Sequence, residues 1–137
     1  MAPRILALRK YGFVRAGKWH LHPAVRMGVD FELATLKKDH VIYCFVVDQH
    51  PMYVGCCASF KTSLMDRMRR YKNGQGAGTN ERVAKAIEKS LRAGSEVDIY
   101  AWKPRLPEQH KGLQCDPVVG YERALIKALS PDWNKAK

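Results

Sequence analysis

The stretch VIYCFVVDQHPMYVG, residues 41–55, decides the predicted fold. Its first seven residues are apolar at every position, which is typical of a central strand covered on both faces. The segment Asp48-Gln49-His50-Pro51 has the composition of a turn. Residues 52–55 then return as a second extended segment. The sequence therefore predicts a β-hairpin that lies inside a sheet.

Two helices are predicted after the hairpin. Apolar residues three or four apart, beginning at Leu64, indicate a helix that ends at Gly74. A second helix has Asn80 as its N-cap, apolar residues spaced four apart, and Gly94 as its stop.

The remaining elements complete an α+β fold. Strict alternation predicts strands at residues 29–33 and 97–102, and Asp116-Pro117 opens a last helix that runs to about Leu129. We expect short strands or an arm in residues 1–28. The predicted architecture is a small, mostly antiparallel three-stranded sheet flanked by helices, in a single compact domain. A basic N-terminal extension, residues 1–40, precedes the main domain at 41–137.

Composition points to a polyanionic partner. The 137 residues carry 24 Lys and Arg against 13 Asp and Glu, a net charge of +11, with the excess in residues 1–40 and 61–92. A hydrophobic content of 46% argues against disorder. A pI near 9.7 is typical of nucleic-acid-binding proteins, although it also fits a soluble basic domain.

The cysteines and the N-terminus predict an intracellular location. Cys44 lies within an apolar run, Cys56 and Cys57 are adjacent, and neither these nor Cys115 form a Cys-x-x-Cys motif. We therefore expect reduced thiols and no zinc site. Charges interrupt the N-terminal apolar stretch too early for a signal peptide, and no apolar run is long enough for a membrane helix. The expectation is a cytoplasmic protein with no membrane partner.

One acidic residue stands where the helical pattern requires an apolar one. On the last helix, Val118, Tyr121 and Leu125, with the apolar residues that follow, form a stripe predicted to face the core. Glu122 falls inside that stripe. A carboxylate on an apolar face needs a cation, hydrogen bonds or a metal ion as its partner, because burial removes its hydration. Either a structural ion pair or a functional site satisfies this need.

An arginine shows the same anomaly on the first predicted helix. Arg67 lies beside the apolar residues of that helix, and Tyr71 follows one turn later. Tyr43 and Tyr53 lie on neighbouring strands, and Gly55 marks a place where a backbone or ligand approaches closely. A buried tyrosine by itself is often only a core residue. Together, these inward polar groups in a basic protein predict a site.

These residues resemble the motifs of the GIY-YIG nucleases. Val41-Ile42-Tyr43 is similar to the first signature, with Val in place of Gly. Tyr53-Val54-Gly55 is similar to the second, with Val in place of Ile. Cys56 stands where many members carry Lys. The stretch from Gly55 to Arg67 is longer than usual. Lys61, within this stretch, is a candidate to replace the phosphate contact of the Lys that other members carry at the position of Cys56.

The resemblance extends to residue 134. Arg67 matches the essential arginine of the family's helix, and Tyr71 matches the aromatic residue one turn later. Glu122 matches the single metal-binding carboxylate, and Trp133-Asn134 resembles the family's asparagine-bearing segment. Phage-encoded and restriction members are the most similar, because they also have N-terminal extensions.

The resemblance implies a metal-dependent endonuclease that hydrolyses phosphodiester bonds in double-stranded DNA. Glu122 would hold Mg²⁺ or Mn²⁺, and Arg67 would bind the scissile phosphate. Tyr43 would act as general base, its pKa lowered by the metal and nearby cations. Three residues would position water, phosphate or the site itself: Tyr53, Tyr71 and Asn134.

The partner implied is duplex DNA. The candidate backbone contacts, besides Lys61, are six basic residues on the two central helices: Arg69, Arg70, Lys72, Arg82, Lys85 and Lys89. A solvated helix face explains the same charges. Since one site cuts one strand, double-strand cleavage implies a homodimer or larger homo-oligomer. Two alternatives remain open, a non-catalytic nucleic-acid-binding module and a basic interaction protein in which Glu122 and Arg67 simply pair.

Overall fold

A computed structural model of the chain describes residues 3–35, 39–58, 62–74, 78–105, 111–113 and 117–135. In chain order the elements are α1 (Pro3–Tyr11), β1 (Val14–Leu21), β2 (Val29–Leu33), β3 (Val41–Val47), β4 (His50–Cys57), α2 (Leu64–Asn73), α3 (Thr79–Arg92), β5 (Val97–Trp102), α4 (Pro117–Leu129) and α5 (Asp132–Lys135). No helix in these ranges is long and apolar enough to cross a bilayer.

The strands form one antiparallel sheet in the order β2-β1-β5-β3-β4. The α+β class is confirmed, but the prediction of three strands is wrong, because the sheet has five. The segment predicted as an N-terminal extension supplies α1 and the two extra strands. The alternation of polar and apolar residues did not locate β1, because the pairing register of β1 with β5 shifts between Arg15 and Gly17. This shift interrupts the two-residue period of the pattern.

The predicted hairpin is confirmed and has a two-residue turn. Val47 pairs with His50, and the two residues between them, Asp48 and Gln49, have φ of 47° and 72°. Positive φ at both central positions is the type I′ pattern, whose twist matches that of the strands. Pro51 is tolerated because β4 is an edge strand with a register shift at this point.

The helix boundaries mostly match the prediction. Ser63 and Asp66 form a capping box at the start of α2, and Gly74 ends the helix with φ 65°. The predicted N-cap of α3 is wrong, since Gly78 holds that position and Asn80 lies inside the helix. The short helix α5 was not predicted at all, because four residues carry no measurable periodicity.

The sheet separates two apolar cores. Alternate residues of β3, such as Tyr43 and Phe45, pack with α2 and α3, whereas Ile42 and Cys44 pack with α1 and α4. This division explains why residues 41–46 are all buried. The stripe predicted on α4 is partly wrong, because Tyr121 is 47% exposed and packs on the Trp102 ring.

Candidate active site

Two buried tyrosine hydroxyls meet beneath the α2 helix. Tyr43 on β3 and Tyr71 on α2 are fully buried, and their hydroxyl oxygens lie 2.6 Å apart. Arg67, one turn before Tyr71, donates from Nη2 to the Tyr43 hydroxyl over a longer distance of 3.4 Å. The structure therefore brings Tyr43 together with two residues of α2 that lie 24 and 28 positions later in the sequence, because α2 packs directly over β3.

The tyrosines belong to a compact aromatic cluster. The rings of Tyr43, Phe45, Tyr53 and Tyr71 contact one another with centroids 5.4–6.4 Å apart. Tyr53 is the most accessible of the four, with 8% of its surface exposed. Gly55 lies opposite Tyr43 in the strand register, and the close approach predicted there is with the Tyr43 ring itself.

Arg67 has an unused donor. Its Nε is buried and has no hydrogen-bond acceptor among the described residues. A buried guanidinium N–H without a partner is costly, so such a group usually faces a ligand. The planar guanidinium suits a tetrahedral phosphate, which accepts two parallel hydrogen bonds.

Glu122 is the carboxylate that the sequence predicts for the site. It is half-buried on α4, and burial raises its pKa, while the Cys56 thiol and the charges of Arg67 and Arg123 act to lower it. Glu122 therefore lies within the electrostatic reach of Arg67, although the two residues come from helices on opposite faces of the sheet. β4, whose Cys56 is the hydrogen-bond partner of Glu122, is the edge strand of the sheet.

Two neighbours of Glu122 were not predicted to contact it. Burial, together with the adjacent Glu122 carboxylate, its hydrogen-bond partner, raises the pKa of the Cys56 thiol to about 12. Strand alternation contained this signal, since Cys56 follows Gly55 and so faces α4. Arg123 is exposed and follows Glu122 directly along the helix, and its positive charge acts to lower the pKa of the Glu122 carboxyl.

The protein by itself raises the pKa of Tyr43, whereas the sequence-based expectation was that a bound metal ion and nearby cations lower it. Burial raises it above its ordinary value of 10, and the Arg67 charge and the Tyr71 hydrogen bond offset only part of that rise. Complete burial disfavours a phenolate more than one half-exposed guanidinium favours it. The protein alone therefore keeps Tyr43 protonated at neutral pH.

Asn134 joins the C-terminal helix to β4. Its side chain accepts a hydrogen bond from the Val54 N–H at 2.8 Å and donates one to the Val54 carbonyl at 3.0 Å. Val54 lies between Tyr53 and Gly55, so Asn134 fixes the backbone of the second signature. The structure places it as a positioning residue, beside the site rather than in it.

The basic residues differ in how much of their charge is free. Arg70 and Lys89 are exposed and form no ion pair within the described ranges. Arg69 and Lys85 are exposed and pair with acids on their own helices, at 3.7 and 3.1 Å. Lys72 is half-buried against Asp30, 3.3 Å away.

Arg82 is already bonded to the protein. Its Nη1 donates to the carbonyl oxygen of Trp133 at 2.7 Å. This contact links α3 to α5 and gives Arg82 a partner other than the predicted phosphate. Lys61, the other candidate contact, lies outside the residues that the structure describes.

The residues present fit a divalent cation held by one carboxylate. No group of three or more His, Cys, Asp or Glu in the described ranges could hold a metal ion. Mg²⁺ needs only one or two carboxylates, since water and substrate phosphates fill its remaining positions. Glu122, half-buried and without a lysine or arginine ion pair among the described residues, can be such a ligand. An ion bound there would depend on DNA for part of its coordination.

The fold belongs to a known class, the GIY-YIG-like nuclease fold, because two solved structures superpose on it. A glutamate-to-alanine mutant of EndoII from bacteriophage T4 superposes with a TM-score of 0.72. The match covers 94% of this chain and 96% of that chain at 19% identity. The restriction endonuclease HPY188I, solved in complex with product DNA, superposes with a TM-score of 0.58. That match covers 100% of this chain and 84% of the other, at 17% identity.

These likenesses confirm the fold predicted from the sequence resemblance. Both structural neighbours are endonucleases. No family model matches the sequence, and no curated protein matches it. The similarity is therefore one of three-dimensional structure, and the chemistry of this chain has to be argued from its own residues.

Proposed function

We propose that this protein is a divalent-metal-dependent endonuclease that hydrolyses phosphodiester bonds in double-stranded DNA. The observation that carries the proposal is the buried Arg67 Nε, which lacks an acceptor among the described residues, while the charge of Arg67 also acts on Glu122. An ion pair alone would satisfy both groups, but Glu122 takes its hydrogen bond from Cys56 and Arg67 donates to Tyr43. A phosphate would accept the free hydrogen bond of Arg67, and a cation would balance the charge of the Glu122 carboxylate.

Each residue has a part in the hydrolysis. A cation held by Glu122 would acidify the attacking water and stabilise charge on the phosphate. Arg67 binds the non-bridging oxygens and keeps the phosphorus in line with the water. The water oxygen forms the new bond to phosphorus, the bond to the 3′ oxygen breaks, and that oxygen takes a proton from solvent.

Tyr43 is the proposed general base. Its hydroxyl oxygen would receive the proton of the attacking water, which requires the phenolate form. The Arg67 guanidinium and the Tyr71 hydroxyl would both donate to that phenolate and so stabilise it. Because burial opposes ionisation, the bound cation has to lower the pKa of Tyr43 as well. Tyr53 lies at the edge of the same cluster, where it can position the water or the phosphate.

The proposed assembly follows from the number of sites. One chain supplies one Glu122 and one Arg67, enough to cut one strand. Cleavage of both strands therefore calls for a homodimer or a larger homo-oligomer. The restriction endonuclease HPY188I, solved with product DNA, supports duplex DNA as the partner, and the net charge of +11 supports a polyanion.

Supercoiled plasmid with Mg²⁺ or Mn²⁺ tests the proposal. Wild type is expected to nick or linearise the DNA, whereas Glu122→Gln, which removes the charge and keeps the shape, is expected to bind DNA without cutting. Glu32→Gln is the matched control, because Glu32 is 65% exposed on β2, at the opposite edge of the sheet. Omission of the metal ion should stop cleavage by wild type.

Two outcomes would contradict the proposal. Equal cleavage by wild type and Glu122→Gln would remove Glu122 from the chemistry. DNA binding by all three proteins, with no cleavage by any of them, would favour a non-catalytic nucleic-acid-binding module.

A further inference from the structure

Arg82 is turned toward the protein rather than toward solvent. It is half-buried near the start of α3, and its Nη1 donates to the Trp133 carbonyl on α5 at 2.7 Å. Hydrogen bonds from a charged donor are about twice as strong as neutral ones. This contact is also short for an N–H donor, so it fixes the distance between α3 and α5.

The helix α5, to which Arg82 is hydrogen-bonded, depends on tertiary contacts for its stability. α5 has four residues, Asp132–Lys135, and one turn of helix is unstable alone. Besides Arg82, two contacts that anchor α5 are the Trp133 side chain, which packs against the core beneath α2 and α3, and the hydrogen bonds of Asn134 to Val54. These three contacts connect α3, the core and β4.

The last of these contacts fixes an exposed strand edge. β4 is the outer strand of the sheet, so alternate backbone groups of β4 have no partner strand. Asn134 satisfies both the N–H and the C=O of Val54, as one residue of a further strand would. The flanking residues are Tyr53, in the aromatic cluster, and Gly55, against the Tyr43 ring.

We propose that Arg82 is a positioning residue of the active site, which acts through the Trp133 carbonyl and Asn134 to fix Val54 and the signature residues on either side. The proposal rests on the proposed nuclease function, since what is positioned is the Tyr53–Gly55 segment. It replaces the prediction that Arg82 is a DNA contact. Lys85 and Lys89 on the same helix keep that assignment.

The two roles of Arg82 give different kinetics. A positioning residue changes the geometry of the reacting groups, so Arg82→Ala should lower kcat by about 10- to 100-fold with the Kd for DNA unchanged. A phosphate contact would instead weaken binding and reduce the slope of log K against log salt by about one, with kcat unchanged.

The experiment compares Arg82→Ala with Arg92→Ala. Arg92 is an exposed arginine near the end of the same helix, paired with Glu88 at 3.3 Å. We expect Arg92→Ala to behave as wild type in kcat, Kd and salt dependence. Circular dichroism melting establishes that each variant is folded. If Arg82→Ala does not fold, Arg82→Lys is used in its place, because lysine keeps a terminal hydrogen-bond donor. The kcat of Arg82→Lys should lie between the kcat of wild type and that of Asn134→Ala.

Amide hydrogen exchange at Val54 supplies a readout that does not depend on cleavage. The Val54 N–H is hydrogen-bonded to Asn134, so it should exchange faster with solvent in Arg82→Ala and in Asn134→Ala than in wild type. Because Arg82 acts through Asn134, the double variant should exchange at the same rate as Asn134→Ala. Unchanged exchange in Arg82→Ala would overturn the proposal, as would a loss confined to Kd and the salt slope. If wild type cleaves no DNA, the nuclease proposal fails, while Val54 exchange still tests the link from Arg82.

Discussion

The α-carbon of Gly55 lies against the phenol ring of Tyr43. A β-carbon at Gly55 would be 2.5 Å from both the Cζ and the hydroxyl oxygen of Tyr43. The ring can shift only at a cost, because Tyr43 is fully buried and its hydroxyl is hydrogen-bonded to Tyr71. The glycine is therefore required by the tyrosine opposite it, and the two signature segments fit together as one unit.

Gly55→Ala should displace the Tyr43 ring. We expect the free energy of unfolding to fall by about 1–3 kcal/mol, the usual cost of overpacking, and cleavage to slow as Tyr43 moves away from Arg67. Gly120→Ala is the control, because a β-carbon at that α4 position meets nothing within 4 Å. There the better helix propensity of Ala should raise stability by up to about 1 kcal/mol. Urea denaturation measures both, and a Gly55→Ala variant as stable as wild type would contradict the packing.

Tyr71→Phe removes the shorter of the two hydrogen bonds to the Tyr43 hydroxyl. Only the 3.4 Å contact from Arg67 then remains, so stability should fall by about 1 kcal/mol. Cleavage should slow while DNA affinity is unchanged, because the phenolate of Tyr43 loses a donor. Tyr121→Phe, on a half-exposed ring, should change neither quantity. Wild-type kinetics for Tyr71→Phe would show that the hydroxyl pair has no part in proton transfer.

Arg70→Gln should weaken DNA binding by a similar factor on every sequence. Arg70 is exposed on α2 and free of ion pairs in the described part of the chain, so its charge is available to phosphate. The slope of log K against log salt should decrease by about one. Arg92→Gln, whose charge is paired with Glu88, serves as the control. Fluorescence anisotropy between low and physiological salt measures the slope, and an unchanged slope for Arg70→Gln would place this face away from DNA.

Asp66 makes the start of α2 sensitive to acid. It accepts a hydrogen bond from the Ser63 N–H at 3.2 Å, and this bond holds its pKa below the ordinary 3.8. Because the folded pKa lies below the unfolded one, the carboxylate stabilises the fold above pH 3.8, and that stabilisation is lost as pH falls through the folded pKa. Wild type should therefore be more stable than Asp66→Asn at pH 7, and the difference should shrink below about pH 4. Urea denaturation across this range measures it, and a difference independent of pH would contradict the capping role of the carboxylate.

Local patterns predicted the elements nearest the site. The apolar run of β3, the turn at Asp48 and the periodicity of α2 all appear in the structure where the sequence placed them. Each depends on interactions within a few residues, which composition and spacing report directly. Short strands or an arm were expected in residues 1–28, but the position of β1 was not predicted, because its register shift breaks the alternation. The helix α5 was missed because it is too short to show a period.

The sequence identified candidate site residues but not their long-range contacts. Glu122 and Arg67 were selected because each stands on an apolar helix face, and this local anomaly is visible without a structure. The sequence could not show that the Cys56 thiol would be hydrogen-bonded to Glu122, or that Arg82 would bond to Trp133 instead of facing solvent. These pairings join residues about 50 or more positions apart.

The sequence by itself determined the α+β class, the central hairpin and the identity of the polar residues turned inward, because periodicity and side-chain chemistry are local properties. Only the tertiary structure decided that Tyr43, Arg67 and Tyr71 share hydrogen bonds, and that burial raises the pKa of Tyr43. The physical reason is that hydrogen bonding and desolvation depend on which groups the packed chain brings into contact. The chemical identity of the site residues is thus set by the sequence, and their pKa values are set by the burial and the contacts that packing creates.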